Sequence, residues 1–147
     1  MVTPDRTEPN LGVLLFLPYR HMEQRILEAV TAAGYAITLP QARLFQRVDR
    51  QGSRLTQLAE AAQVTKQAAK FLVDQLESGG YVERVPDPTD GRARLVRATR
   101  RGQDVIALAG TVERAIEQEW RDHLGEPATA ELERALVLLR EITDPFA

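Results

Sequence analysis

The segment Asp87-Pro88-Thr89-Asp90-Gly91-Arg92 constrains this chain more than any other. It lies between Tyr81-Val82-Glu83-Arg84-Val85 and Arg94-Leu95-Val96-Arg97-Ala98, two short runs that read as strands. Pro86 and Pro88 stiffen the connection and cannot continue a ladder, while Asp90-Gly91 supplies a turn with Arg92 at its tip. Two helical patterns, Thr56–Ala62 and Thr65–Ser78, come just before, separated by Gln63-Val64-Thr65, which is long enough only for a turn. A helix pair followed by a hairpin with an arginine at its tip is a winged helix-turn-helix. Such a shape offers one helix to the major groove of DNA and a basic loop to the minor groove.

The remaining pattern is helical. Leu11, Leu14, Leu15, Tyr19, Met22, Ile26, Val30 and Ala33 recur at steps of three and four, marking a helix capped by Asn10 and ended by Gly34. Pro18 is expected to kink or break it. Thr38 with Gln41 forms a capping box for a second helix, which turns Leu44, Phe45 and Val48 inward and stops near Gly52. The small residues Ala59 and Ala69 let the two reader helices approach closely. After the wing, Val105, Leu108, Val112, Ile116 and Trp120 mark a long helix over 102–124. Gly125-Glu126-Pro127 breaks the pattern, and Leu132, Leu136, Leu139 and Ile142 mark a last helix over 129–142. The expected class is therefore mainly α with a small β-hairpin wing, in one domain spanning 1–147. Residues 1–9 read as a frayed polar tail, neither a secretory signal nor a transit peptide.

Charge supports the same reading. The net charge is −2, yet residues 64–101 hold 8 basic and 5 acidic side chains, whereas residues 102–147 hold 4 and 10. Six arginines fall between Arg84 and Arg101, so the basic excess sits on the proposed reader. The chain has no cysteine, which excludes a thiol redox sensor and a Cys-ligated metal site and fits a reducing cytoplasm. His21 and His123 are far apart in sequence, so neither a metal nor another cofactor is expected. Nothing resembles a nucleophile elbow, a P-loop or a metal-ligand spacing, and no apolar run has the length of a membrane span. The chain therefore reads as a binding protein and not an enzyme.

On the helix that starts at Thr65, Lys66, Gln67 and Lys70 face outward near the N-terminal end, which a recognition helix presents to base edges. Gln67 suits adenine, Lys66 guanine or phosphate, and Ala68 a thymine methyl. In the wing, Asp90 holds the turn and pairs with Arg92 to aim the guanidinium, and Arg94 reaches for phosphate. The full set expected at DNA is Gln57, Thr65, Lys66, Gln67, Ala68, Lys70, Asp90, Arg92 and Arg94.

Taken together, Leu55-Thr-Gln-Leu-Ala-Glu, Val64-Thr-Lys-Gln, Val73-Asp-Gln-Leu-Glu, Gly80-Tyr-Val-Glu-Arg, Asp87-Pro-Thr-Asp-Gly-Arg92, Thr99 and Gly102 resemble the MarR family (multiple antibiotic resistance regulators). The likeness is dense over 53–104 and elsewhere rests on helix order and length. It implies a homodimeric winged-helix transcription factor, usually a repressor, with dimer contacts from the first and last helices. It also implies a small ligand acting between the dimer and DNA-binding parts. On this pattern residues 10–35 and 101–146 are dimerisation helices and 37–100 the reader. Phe71 stands where many members have a basic residue, and is expected to be a packing position. Ala98-Thr99 replaces the commoner Leu-Thr.

The stripes Leu11/Leu14/Leu15 and Leu132/Leu136/Leu139 are the expected dimer surfaces, and two linked readers span half-sites roughly 34 Å apart on a pseudo-palindromic operator. Phe16, Tyr19, Arg20, His21 and Phe45 are grouped as a candidate site for a small aromatic or phenolic effector. The rival function is a winged helix used as a protein–protein scaffold with no operator. Salt dependence of DNA binding separates the two.

Overall fold

Asn10 opens the first helix by accepting the Val13 N–H at 3.0 Å, one of the amides that a helix start leaves unsatisfied. From there the computed structural model, which describes residues 7–147, runs α1 (Leu11–Ala32), α2 (Leu39–Phe45), α3 (Leu55–Ala62), α4 (Lys66–Ser78), β1 (Val82–Asp87), β2 (Asp90–Ala98), α5 (Arg100–Leu124) and α6 (Glu126–Thr143). Most of the tail reading at residues 1–9 lies outside the described residues. Helix α1 continues through Pro18, so the proline does not split it. The Thr38–Gln41 capping box forms as expected at α2.

Several boundaries differ from the sequence expectation. Helix α2 stops at Phe45 instead of continuing to Gly52. Asp49 and Ser53 draw the following backbone elsewhere: the Asp49 N–H donates to Ser53 Oγ at 2.8 Å, and Asp49 Oδ1 accepts from Gln51 N–H at 3.0 Å. The wing ladder continues past Pro86, which pairs with Arg94, because an edge strand tolerates a missing donor. Finally, Gly125 alone is the break between α5 and α6. It takes φ +83°, and Pro127 enters the first turn of α6, where its missing N–H breaks no helical bond.

The core forms where α2, α3, α4, the wing and the start of α5 meet. Leu44, Leu58, Ala69, Val73, Leu76, Val82 and Val96 are almost completely buried there. Ala59 and Ala69 are both buried in this core, as close packing of α3 on α4 requires. A two-residue bridge between Ser53 and Val96, with 2.8 Å bonds in both directions, ties the segment before α3 to the wing.

Tyr81 anchors the junction between wing and α5. Its hydroxyl accepts the Ala36 N–H at 2.8 Å, and its ring lies 5.0 Å from the Arg101 guanidinium. Its carbonyl accepts the Thr99 N–H at 3.0 Å, while Thr99 Oγ1 accepts the Gly102 N–H at 3.1 Å and starts α5. A Cβ at Gly102 would lie 2.1 Å from that carbonyl oxygen, so only glycine fits there. The long helices α1 and α5 pack together, and α6 folds back on α5. The end of α6 returns to the reader: Asp144 accepts from Arg47 at 3.0 Å, and Gln63 Nε2 donates to the Thr143 carbonyl at 3.1 Å.

Candidate nucleic-acid interface

Helix α4 begins because Thr65 caps it, accepting the Ala68 N–H at 3.0 Å. The turn before it is made by Gln63, which takes the left-handed region at φ 57°. Ala69, Val73 and Leu76 are buried against α3 and the wing, and this fixes which side of α4 faces water. Lys66, Gln67 and Lys70 are exposed on that side. Thr65 is exposed but spends its oxygen on the cap, Ala68 is half-buried, and Gln57 is exposed on α3.

Lys66 has no ion-pair partner among the described residues, whereas Lys70 donates to Asp74 at 3.1 Å. Asp74 also accepts from Arg84 at 2.7 Å, and Arg84 reaches Glu77 at 2.8 Å. Lys70 first and Arg84 second hold the Asp74 carboxyl below its ordinary value. Lys70 faces outward as expected, with its charge shared with Asp74, while Arg84 braces β1 against α4. Phe71 is a second correction: it is exposed, not packed, because it points away from the buried stripe of α4.

The wing tip also differs. Pro88-Thr89 makes the turn, and Asp90-Gly91-Arg92 belongs to β2. The register pairs Asp87 with Asp90 and Pro86 with Arg94, so Gly91, Arg92 and Ala93 are extra residues bulging from β2. A bulge re-aims side chains, and here it leaves Arg92 exposed. Asp90 does hold this backbone, since its Oδ1 accepts the Arg92 N–H at 3.1 Å. Its carboxylate does not pair with the Arg92 guanidinium; the nearest cation is Arg54, at 4.0 Å. Arg92 and Arg94 both lack ion-pair partners among the described residues, whereas Arg97 is bound to Glu83 at 2.8 Å.

Arg54 and Asp87 were not singled out as site residues from the sequence. Arg54 precedes α3 and reaches Asp87, buried at the turn end of β1, at 2.8 Å. Asp87 also accepts the Thr89 N–H at 2.8 Å and the Thr89 hydroxyl at 2.7 Å. These Thr89 bonds, with Arg54 behind them, lower the Asp87 carboxyl from 3.8 to about 2. Only the Asp-Pro-Thr spacing hinted at the turn; nothing in sequence pointed to Arg54, 33 residues away.

A depressed folded-state value means that the Asp87 contribution is fully present above the unfolded value near 4 and is lost as pH falls from there towards about 2. Asp144 is lowered to about 2 as well, chiefly by Arg140. Acid unfolding of the parent should therefore steepen below about pH 4, and Asp87→Asn should flatten one part of that slope. Identical acid midpoints in the two proteins would contradict the role given to the Arg54–Asp87–Thr89 cluster.

Apart from this face, a cavity of about 460 Å³ lies between α1, α2 and α5. Tyr19 and Phe45 line it, but Phe16 and Arg20 do not. Tyr19 is the first residue of α1 in the lining, one turn after Phe16, and Arg20 sits about 100° further round the helix. His21 is exposed outside it. The cation at the cavity is Arg43, held by Glu23 through bonds of 2.7 and 3.0 Å. Burial raises the Tyr19 hydroxyl, so it stays a neutral donor and acceptor.

The six expected dimer leucines, Leu11, Leu14, Leu15, Leu132, Leu136 and Leu139, are all exposed. Among the described residues no group of three acidic or histidine side chains is placed to hold a metal ion, and no helix is long and apolar enough to cross a membrane.

Residues 36–93, from the approach to α2 to the wing bulge, match the family model described as the MarR family. Transcriptional regulator HosA from Escherichia coli is 30% identical over 107 residues, which cover 72% of this chain and 77% of HosA. A crystal structure of a MarR mutant from E. coli complexed with operator DNA is 25% identical, with a TM-score of 0.69 over 88% of this chain and 92% of that one. CouR from Rhodococcus jostii, crystallised bound to p-coumaroyl-CoA, is 22% identical, with a TM-score of 0.72 over 92% and 93%, a likeness of fold.

Proposed function

The chain belongs to the MarR family of transcriptional regulators, with its DNA-binding winged-helix fold, and from that premise we propose that it works as a homodimer on a pseudo-palindromic operator, represses its own or neighbouring genes, and is released by a small ligand. Its relatives are regulators and not enzymes.

One observation carries the DNA-binding part. Among the described residues Lys66 and Gln67 have no side-chain partner on the exposed side of α4, and the β2 bulge presents Arg92 without an ion-pair partner. That combination suits a helix in the major groove with an arginine in the narrow, electronegative minor groove. Gln57, Thr65, Ala68, Lys70, Asp90 and Arg94 complete the proposed contact region: Thr65 and Asp90 hold its backbone, and the cations meet phosphate. The operator complex of the MarR relative supports this use of the fold.

Residues 10–35 and 101–146 supply the dimer, and 37–100 the reader. The exposed leucines of α1 and α6 favour pairing, since a second copy would cover them. The cavity lies where α1 and α5 meet α2, between dimerising and reading parts. A small aromatic or phenolic effector would lie against Phe45, with its hydroxyl at Tyr19 or at the Glu23–Arg43 pair. Wedging α2 away from α1 would change the spacing of the two readers. The ligand-bound CouR structure supports a ligand-responsive regulator. The protein acts on DNA in the cytoplasm.

The test is a mobility shift on DNA immediately upstream of the gene, at several salt concentrations and against an unrelated fragment. Selective binding that weakens by roughly 10³–10⁵ between about 50 and 200 mM salt is expected for a dimer making about 6–10 phosphate contacts. Arg92→Ala should weaken it about tenfold and leave the melting temperature unchanged. No binding at low salt would put the protein–protein scaffold in its place.

A further inference from the structure

Phe71 is 62% exposed, and it is the one large apolar side chain on the exposed side of α4 among the described residues. At about 100° per residue, buried Ala69, Val73 and Leu76 centre on one direction of the helix, and Gln67 and Phe71 fall within about 30° of the opposite one. These two side chains are four residues apart, so they are neighbours on one face and point most directly away from the core. Lys66 and Lys70 both lie to one side of them. Asp74, on the next turn, is ion-paired with Lys70 and Arg84, which offset its charge at this face. The Phe71 ring has no aromatic or cation–π partner among the described residues.

A phenyl ring left in water at the centre of a polar face is accounted for by an apolar group on the surface which that face meets. In the major groove that group is the C5 methyl of thymine, which cytosine lacks and which projects beside the acceptor edge. We infer that Phe71 is a specificity-determining residue that reads thymine in the operator, its ring seated on the C5 methyl one or two base steps from the base met by Gln67. The inference rests on the operator-binding reading above. A basic side chain at position 71 would add phosphate affinity without sequence information, whereas phenylalanine gives up that charge for a preference.

The experiment uses the full-length protein and an operator selected by it from a pool of random duplexes. Each thymine is replaced in turn by deoxyuridine, which removes only the methyl, and affinity is read by fluorescence anisotropy for the parent, Phe71→Ala and Phe71→Leu. At one or two positions in each half-site, methyl removal should weaken the parent about fourfold, the worth of one buried methyl. The same replacement should leave Phe71→Ala unaffected, and Phe71→Leu should retain part of the sensitivity. Because the ring is exposed, Phe71→Ala should melt with the parent. Insensitivity of the parent to every replacement, or equal sensitivity in Phe71→Ala, overturns the inference while operator binding stands. Equal loss by Phe71→Ala on operator and unrelated DNA also overturns it, since the ring would then be contacting the backbone. A pool from which no sequence is enriched overturns both this inference and the operator reading.

Discussion

Gly102→Ala is expected to destabilise the whole reader by about 3 kcal/mol and to lower the melting temperature by about 6–12 °C. The new Cβ would stand 2.1 Å from the Tyr81 carbonyl oxygen and 3.1 Å from Phe45 Cζ. Neither neighbour can give way easily. The carbonyl is fixed by the Thr99 N–H at 3.0 Å, and Phe45 is buried in the core. Moving α5 outward instead would pull Gly102 N–H from Thr99 Oγ1 and undo the start of the helix. Arg101 would move with it, away from the rings of Tyr35 and Tyr81. Thermal melting followed by circular dichroism reads the effect. Gly91→Ala is the control for stability, because a Cβ there meets nothing within 4 Å. A Gly102→Ala protein that melts with Gly91→Ala would show that the wing–α5 junction is looser than its geometry.

The second large effect concerns pairing. Helix α6 has 18 residues yet buries only Thr129 within the chain, and Leu132, Leu136 and Leu139 remain 39–43% exposed. Charges introduced at Leu132 and Leu136 would cost a lone chain little, because water reaches both positions. Across a twofold interface the same two charges, and their symmetry mates, would be buried without partners. Leu132→Glu/Leu136→Glu should therefore run at the mass of one chain in analytical ultracentrifugation, where the proposed dimer predicts two for the parent. Operator affinity should fall by about 10²-fold or more, since each reader then binds without the other's help. A double variant that still sediments as a dimer would remove α6 from the interface, and a parent monomeric at micromolar concentration would falsify the dimer itself.

Much of the fold was legible because its signals are local. Asn10, Thr38, Thr65 and Thr99 lie within four residues of the amides they cap or of the helices they open, and the Thr38–Gln41 box formed as read. The spacing of Leu58, Ala59, Ala69, Val73 and Leu76 identified the buried sides of α3 and α4. That left Lys66 and Gln67 outside, where the sequence had placed them. Phe71 was misjudged for an instructive reason: an apolar side chain was expected to pack, but its position around α4 counts for more than its hydrophobicity.

The order of elements, the caps, the buried stripes and the likeness to a regulator family were properties of the sequence by itself, because each depends on residues a few positions apart or on a pattern repeated along one element. Tertiary structure alone decided that Arg54 would hold Asp87, that the bulge would free Arg92 from Asp90, that Arg43 and not Arg20 would reach the cavity, and that Gly102 would lie on the Tyr81 carbonyl. Each of these joins groups brought close by packing between elements, over ångström-scale distances that periodicity and capping do not encode.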